Sequence, residues 1–196
     1  MNQAIVAKHN WEPPSGRCLL DAFRENRHSR RRIKGFDTME NTLGFFGFCA
    51  AVTAVASTGA IFRPGDWYQE LKKPSWCPPN WLFGPAWTVL YLTIAVAGWL
   101  VWRDFGFGKA PGAFTLYFLQ LLLNMVWSPL FFGLKRPDIA MAELIVLWMS
   151  IAMTIAAFWS LVATAALLLV PYFAWVTFAA ALNFALWRLN TKPVKL

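Results

Sequence analysis

The residues of this chain that could do chemistry are aromatic rather than acidic, thiol or metal-binding. Its three cysteines, Cys18, Cys49 and Cys77, show no C-x-x-C spacing, so neither a disulfide framework nor a zinc site is expected. Both histidines, His9 and His28, lie close to the N-terminus. No acid–base pair or activated nucleophile stands out, so no metal and no required cofactor is expected. What remains is 12 tryptophans, whose faces stack on flat π systems and whose N–H groups need a partner wherever water is absent. The question is which of them are deep in the fold, and that depends on the elements that carry them.

Those elements follow from composition. The chain is 58% hydrophobic and 14% charged, against roughly 25% charged for a soluble domain. Residues 1–38 hold 8 of the 18 basic and 4 of the 10 acidic residues. Everything from Met39 onward therefore reads as membrane protein. Charge-free runs of bilayer length place spans at about 42–62, 81–102 and 112–134. Leu144 to Trp187 is also uncharged, about 66 Å as one straight helix, twice the bilayer core. It must fold back, giving spans at about 139–160 and 165–187 with a turn near Ser160 to Thr164. No ten-residue alternation supports a β-barrel. The predicted class is all-α, an integral membrane bundle of five transmembrane helices over residues 39–196. Residues 1–38 lack the apolar core of a signal peptide and read as a disordered basic tail, with Arg30, Arg31, Arg32 and Lys34 as its cluster. With that tail counted, the positive-inside rule leaves orientation undecided; without it, the C-terminus lies inside.

Depth then sorts the tryptophans. Trp67, Trp76, Trp81, Trp99, Trp102, Trp159 and Trp187 fall in loops or near helix ends, where an interfacial aromatic belt is expected. Counting inward from the end that carries the first long loop, Trp87 lies about 9 Å down, Trp127 about 10 Å, Ala179 about 12 Å, Asn124 about 15 Å and Trp175 about 18 Å. These come from three spans yet share one half of the membrane. Their polar groups should face the bundle interior, which makes them candidates for one cavity. The loop above, Arg63 to Asn80, is long and carries Pro64, Pro74, Pro78 and Pro79. It reads as a lid, with Lys72, Lys73 and Arg63 giving it positive charge and Trp76 belonging to it. Such a cavity suits a flat apolar ligand with carboxylates at its rim; helix packing and headgroup anchoring are the alternative use of the same residues. Glu143, the one acid well inside an apolar run, is shallow enough to reach the headgroups.

The same residues form an ordered pattern: Trp67-Tyr68, then Leu71-Lys72-Lys73-Pro74-Ser75-Trp76-Cys77-Pro78-Pro79-Asn80-Trp81, Gly84-Pro85-x-Trp87 and Tyr91. It continues through Gln120-Leu121, Asn124-x-x-Trp127-x-Pro129, Phe131-Phe132-Gly133, Pro171-Tyr172-x-x-Trp175, Leu182-Asn183 and Trp187-Arg188. Over Met39 to Asn190 this closely resembles the translocator protein family, also called tryptophan-rich sensory proteins or TspO, and peripheral benzodiazepine receptors in mitochondria. The resemblance implies a five-helix bundle, usually dimeric, in an outer membrane, with a pocket for porphyrins such as protoporphyrin IX and for synthetic aromatic ligands. Carried over by motif, that pocket comprises Tyr68, Trp87, Asn124, Trp127, Trp175 and Ala179. Some members also bind cholesterol, but where the mammalian sterol motif has a tyrosine this chain has Phe184, which removes that hydroxyl. Mammalian members also carry a tryptophan where Ile139 aligns here.

A receptor or carrier for tetrapyrroles is the leading functional expectation. Light- and oxygen-dependent porphyrin degradation, known in bacterial relatives, is the enzyme-like alternative, with Trp87 and Trp175 as candidate electron donors. A stress-regulatory membrane scaffold is the third. Expected partners are membrane lipid, the porphyrin-like ligand and a second copy of the chain, and not nucleic acid. The third span, presenting Phe114, Phe118, Leu121 and Leu122 outward, is the expected homodimer face.

Overall fold

The computed structural model describes the backbone of residues 16–191 and the side chains of residues 39–191. Among these residues the regular elements are helices, with no strand. Helix α1 is Gly16–Ile61, α2 is the short Asp66–Glu70, α3 is Asn80–Lys109 and α4 is Pro111–Ser128, prolonged by a π-helical turn, Pro129–Gly133; α5 is Pro137–Trp159 and α6 is Ala163–Asn190. Five stretches are long and apolar enough to cross a bilayer: Met39–Ile61, Asn80–Lys109, Pro111–Gly133, Pro137–Trp159 and Ala163–Asn190. The chain is an all-α, five-span integral membrane protein.

Helix α1 starts at Gly16, so residues 16–38 of the segment expected to be a disordered tail have helical backbone. The segment carries six arginines and two leucines and has no proline after Pro14, and arginine and leucine are good helix formers. Residues 1–15, with Trp11 and His9, lie outside the described residues. The chain divides into two units, Met1–Asn41 and Thr42–Leu196, and the bundle is the second.

Two prolines of the bundle mark helix starts, while Pro85 and Pro171 lie inside α3 and α6. Pro111 and Pro137 stand in the first turn of α4 and α5, where a missing N–H costs nothing. At the far end of α3 the backbone turns at Gly106, whose φ of 65° is a conformation glycine adopts freely; only Ala110 separates α3 from α4. At the end of α4, Pro129 has no N–H to continue the α-helical ladder. The chain widens into a π turn closed by a 2.8 Å bond from the Leu134 N–H to the Pro129 carbonyl. Such turns are frequent at functional sites.

Helix α6 packs on α3 and α5, and α5 on α4. The α1 segment of the bundle joins them through Phe48, whose ring lies 5.7 Å from Tyr117 and 6.4 Å from Trp102. This works because residue 98 is glycine: a Cβ there would stand 2.6 Å from the Tyr117 ring and 2.8 Å from Phe48. Small residues allow such close approach in lipid. Trp81 and Trp159, 71% and 57% exposed, lie at opposite ends of the bundle, as an aromatic belt requires.

The outward face of α4 differs from the expectation. Phe114 and Leu121 are buried in the bundle, whereas Phe118, Leu119, Leu122 and Val126 are exposed. Aromatic packing and helix phase decide this: Phe114 contacts Phe48, Phe107 and Phe158, and Phe114 and Leu121 share the buried face of α4 with Tyr117, Gln120 and Asn124.

Candidate functional site: an indole-walled cavity under the first loop

A cavity of about 530 Å³ lies between the loop-one ends of the spans, within the range of roughly 300–1,000 Å³ usual for small-molecule sites. Tyr68, Trp87, Asn124, Trp127, Trp175 and Ala179 all line it. The helical rise explains the convergence: one half-membrane depth on α3, α4 and α6 places their inward faces at the same level. Trp87 stacks on Tyr91 with centroids 5.2 Å apart, and Trp127 on Phe131 at the same separation. Trp175 meets Phe83 edge-on at 6.0 Å. The π turn brings Phe131 and Phe132 to the wall.

Polar groups in this wall fall into two kinds. Asn124 is already engaged: the Tyr91 hydroxyl donates to its Oδ1 at 2.9 Å, and its Nδ2 donates to the Tyr172 hydroxyl at 2.9 Å. This chain ties α3, α4 and α6 together behind the indoles, so Asn124 shapes the cavity with its amide already committed. Tyr91 and Tyr172 stood in the sequence pattern without a role; their spacing to Asn124 across three helices is what linear sequence hides. Trp127 Nε1 and Asn183 Oδ1, by contrast, are buried with no hydrogen-bond partner among the described residues, although Asn183 Nδ2 donates to the Pro137 carbonyl at 3.0 Å. Both residues line the cavity. Neither atom is itself exposed to the open space, so each is a cost of packing rather than a ready ligand contact.

The lid is organised by Tyr68 and Asn190. Tyr68 is buried, with edge contacts to Phe131 and Phe132, and its hydroxyl shares a 3.8 Å hydrogen bond with the Cys77 thiol. Burial, together with Cys77, pushes this phenol well above its ordinary pKa, so it remains neutral. At the end of α6 the Asn190 amide grips the lid backbone. The Lys72 N–H donates to Asn190 Oδ1 at 2.9 Å, and Asn190 Nδ2 donates to the Lys72 carbonyl at 3.0 Å and to the Leu186 carbonyl at 2.8 Å.

That anchoring sets where the lid residues stand. Lys72, Lys73 and Trp76 are not among the lining residues. Lys73 Nζ sits 4.4 Å over the outer face of the Tyr68 ring, and Trp76 packs edge-on against Phe178 at 5.8 Å. Arg63 and Pro64 line the cavity instead. The exposed lining residues Gly59, Ala60, Gly84 and Thr88 form an open edge between α1 and α3. Glu143 also departs from expectation: both carboxylate oxygens are buried and unpartnered rather than at the headgroups. Ala140 and Leu144 on either side of it are fully packed, so nearness to the helix end does not bring water. Phe184 is 47% exposed and packs edge-on against Trp187, outside the cavity.

Five spans around an aromatic, ligand-sized cavity with a proline-rich loop above it define a class: polytopic membrane proteins with an aromatic cavity at one end of the helix bundle. The TspO/MBR family model matches residues 45–188, and the chain belongs to that family. It is 43% identical over 156 residues to protein CrtK of Rhodobacter capsulatus, covering 78% of this chain and 97% of that one. It is 44% identical over 146 residues to a tryptophan-rich sensory protein of Cereibacter sphaeroides, covering 74% and 90%. The human translocator protein is 38% identical over 149 residues, covering 74% and 88%.

Proposed function

We propose that this protein is a membrane receptor or carrier for porphyrins, such as protoporphyrin IX, and for other flat apolar ligands. The observation that carries this reading is the cavity itself, in which Trp87, Trp127, Trp175 and Tyr68 present π surfaces around a ligand-sized space. A planar macrocycle gains both area burial and offset stacking there. Membership of a family whose relatives bear the names sensory and translocator protein supports it. In titrations of purified protein, protoporphyrin IX should quench tryptophan fluorescence saturably. Trp175→Phe should weaken binding several-fold, in line with roughly 0.5–1.5 kcal/mol for an aromatic pair. Absence of saturable quenching removes the reading.

A second reading, light-dependent breakdown of the bound porphyrin with dioxygen as the terminal oxidant, draws on one further feature. Trp87 is stacked on Tyr91, whose hydroxyl is hydrogen-bonded to Asn124, so an indole electron donor at the wall has a phenol behind it. Illumination of the complex decides this: a porphyrin decay rate equal to that in detergent alone leaves a binder.

The proposal includes two further points. The exposed strip Phe118, Leu119, Leu122 and Val126 on α4 is the face we assign to a homodimer, and single cysteines along α4 should cross-link with helical periodicity there. An outer membrane is the proposed location, to be checked by fractionation.

A further inference from the structure

We infer that Arg63 is the anion anchor of the cavity, so that its preferred ligands are flat amphipathic acids whose carboxylate reaches the open edge between α1 and α3. The inference rests on the porphyrin reading and specifies its ligand chemistry. Among the described residues, Arg63 is the one charged side chain that lines the cavity; no Asp or Glu lines it, and Lys72 and Lys73 do not. Arg63 stands two residues past the end of α1, and its Nε–H donates to the Ala60 carbonyl at 2.6 Å. That bond fixes the plane of the guanidinium at the mouth while leaving the two Nη groups unspent. The ion pairs among the described residues are Arg103 with Asp104 and Arg136 with Asp138, so Arg63 has no carboxylate of its own.

An uncompensated cation beside an apolar chamber attracts a carboxylate more strongly than one in bulk water, because the wall lowers the local dielectric constant. Arginine adds a planar fork that matches a carboxylate in two parallel bonds. Position completes the argument. Arg63 is exposed on one side and lines the cavity on the other, as expected of a group that holds a polar end at the mouth while the macrocycle lies among the indoles. A lipid phosphate offers the same anionic chemistry at this depth, so the test must separate a ligand carboxylate from a headgroup.

Esterification separates them. Protoporphyrin IX and its dimethyl ester share the macrocycle, and only the free acid can pair with Arg63. The full-length protein in non-ionic detergent should bind the acid more tightly than the ester. Arg63→Gln should weaken acid binding about tenfold and ester binding less than twofold. Arg63→Lys should recover part of the loss, and a Lys72→Gln, Lys73→Gln double variant should stay within twofold for both probes. Equal losses of acid and ester in Arg63→Gln overturn the inference, since the residue would then act on cavity shape. An unchanged acid-to-ester ratio also overturns it and leaves Arg63 to lipid headgroups. If the unaltered protein binds neither porphyrin saturably, the porphyrin reading itself fails; if it binds both and only the Arg63 effects are missing, that reading stands without this anchor.

Discussion

The two ends of the bundle are built from the same kind of residue and reach opposite results. Away from the lid, Phe48, Phe114, Tyr117 and Phe158 close onto one another: Tyr117 stacks on Phe158 at 5.8 Å and gives its hydroxyl to the Ile94 carbonyl at 3.0 Å. Beneath the lid, Trp87, Trp127 and Trp175 surround empty space, and one indole N–H has no partner. Two physical differences account for this. In the closed half, Gly98 lets backbone and ring approach within van der Waals contact. In the open half, prolines at 85 and 129 and the π turn disturb the regular ladder, while Gly84 has nothing within 4 Å of where a Cβ would stand. Aromatic content alone therefore does not make a cavity; the residues that set the helix spacing do.

The largest effect on this comparison should come from asking both halves to accept one methyl group. Gly98→Ala should destabilise the protein by about 1–3 kcal/mol through overpacking, seen as a lower melting temperature in detergent. Gly84→Ala, on the cavity wall, should be neutral or stabilising by up to about 1 kcal/mol. Equal melting shifts would erase the distinction between packed and open halves.

Next in size is the hydrogen-bond chain that frames the cavity. Asn124→Leu keeps the volume but leaves the Tyr91 and Tyr172 hydroxyls without their partner, at a cost of about 1–3 kcal/mol. Porphyrin affinity should fall with stability, because the wall loses its frame. A variant as stable as the parent but unable to bind would show instead that Asn124 meets the ligand directly.

The smallest stability effect and the clearest kinetic one belong to the lid. Asn190→Ala removes the two bonds that hold the Lys72 backbone. Trypsin cleavage after Lys72 should accelerate and bound porphyrin should leave faster, with the helical melt moved by about 1 kcal/mol or less. An unchanged proteolysis rate would show that the prolines hold the lid by themselves.

What the linear sequence disclosed follows the same division. Lengths of uncharged runs and a fixed rise per residue located the five spans and put Trp87, Asn124, Trp127, Trp175 and Ala179 at one depth, because depth depends only on counting. Rotation and loop path were hidden. Phe114 and Leu121 turn inward because they lie on the same helical face as Tyr117 and Asn124, a phase that a reading by apolar character alone passes over. Lys72 and Lys73 are held outside the cavity by Asn190, 118 residues away, and no local signal announces that bond. Glu143 looked shallow by count, yet the packing of Ala140 and Leu144 removes its access to water. The π turn at Pro129 holds Phe131 and Phe132 at the cavity, and a proline near a helix end reads the same whether it stops the helix or widens it.

Fluorine NMR of protein labelled with 5-fluorotryptophan, with each resonance assigned by single substitution, tests the central claim most directly. On saturation with protoporphyrin IX, the signals of Trp87, Trp127 and Trp175 should shift together by ring current, while those of Trp99, Trp102 and Trp159 in the closed half and at its rim stay within linewidth. Shifts confined to the exposed Trp81 and Trp159, with the three cavity indoles unmoved, would place the porphyrin on the lipid-facing surface and contradict the account.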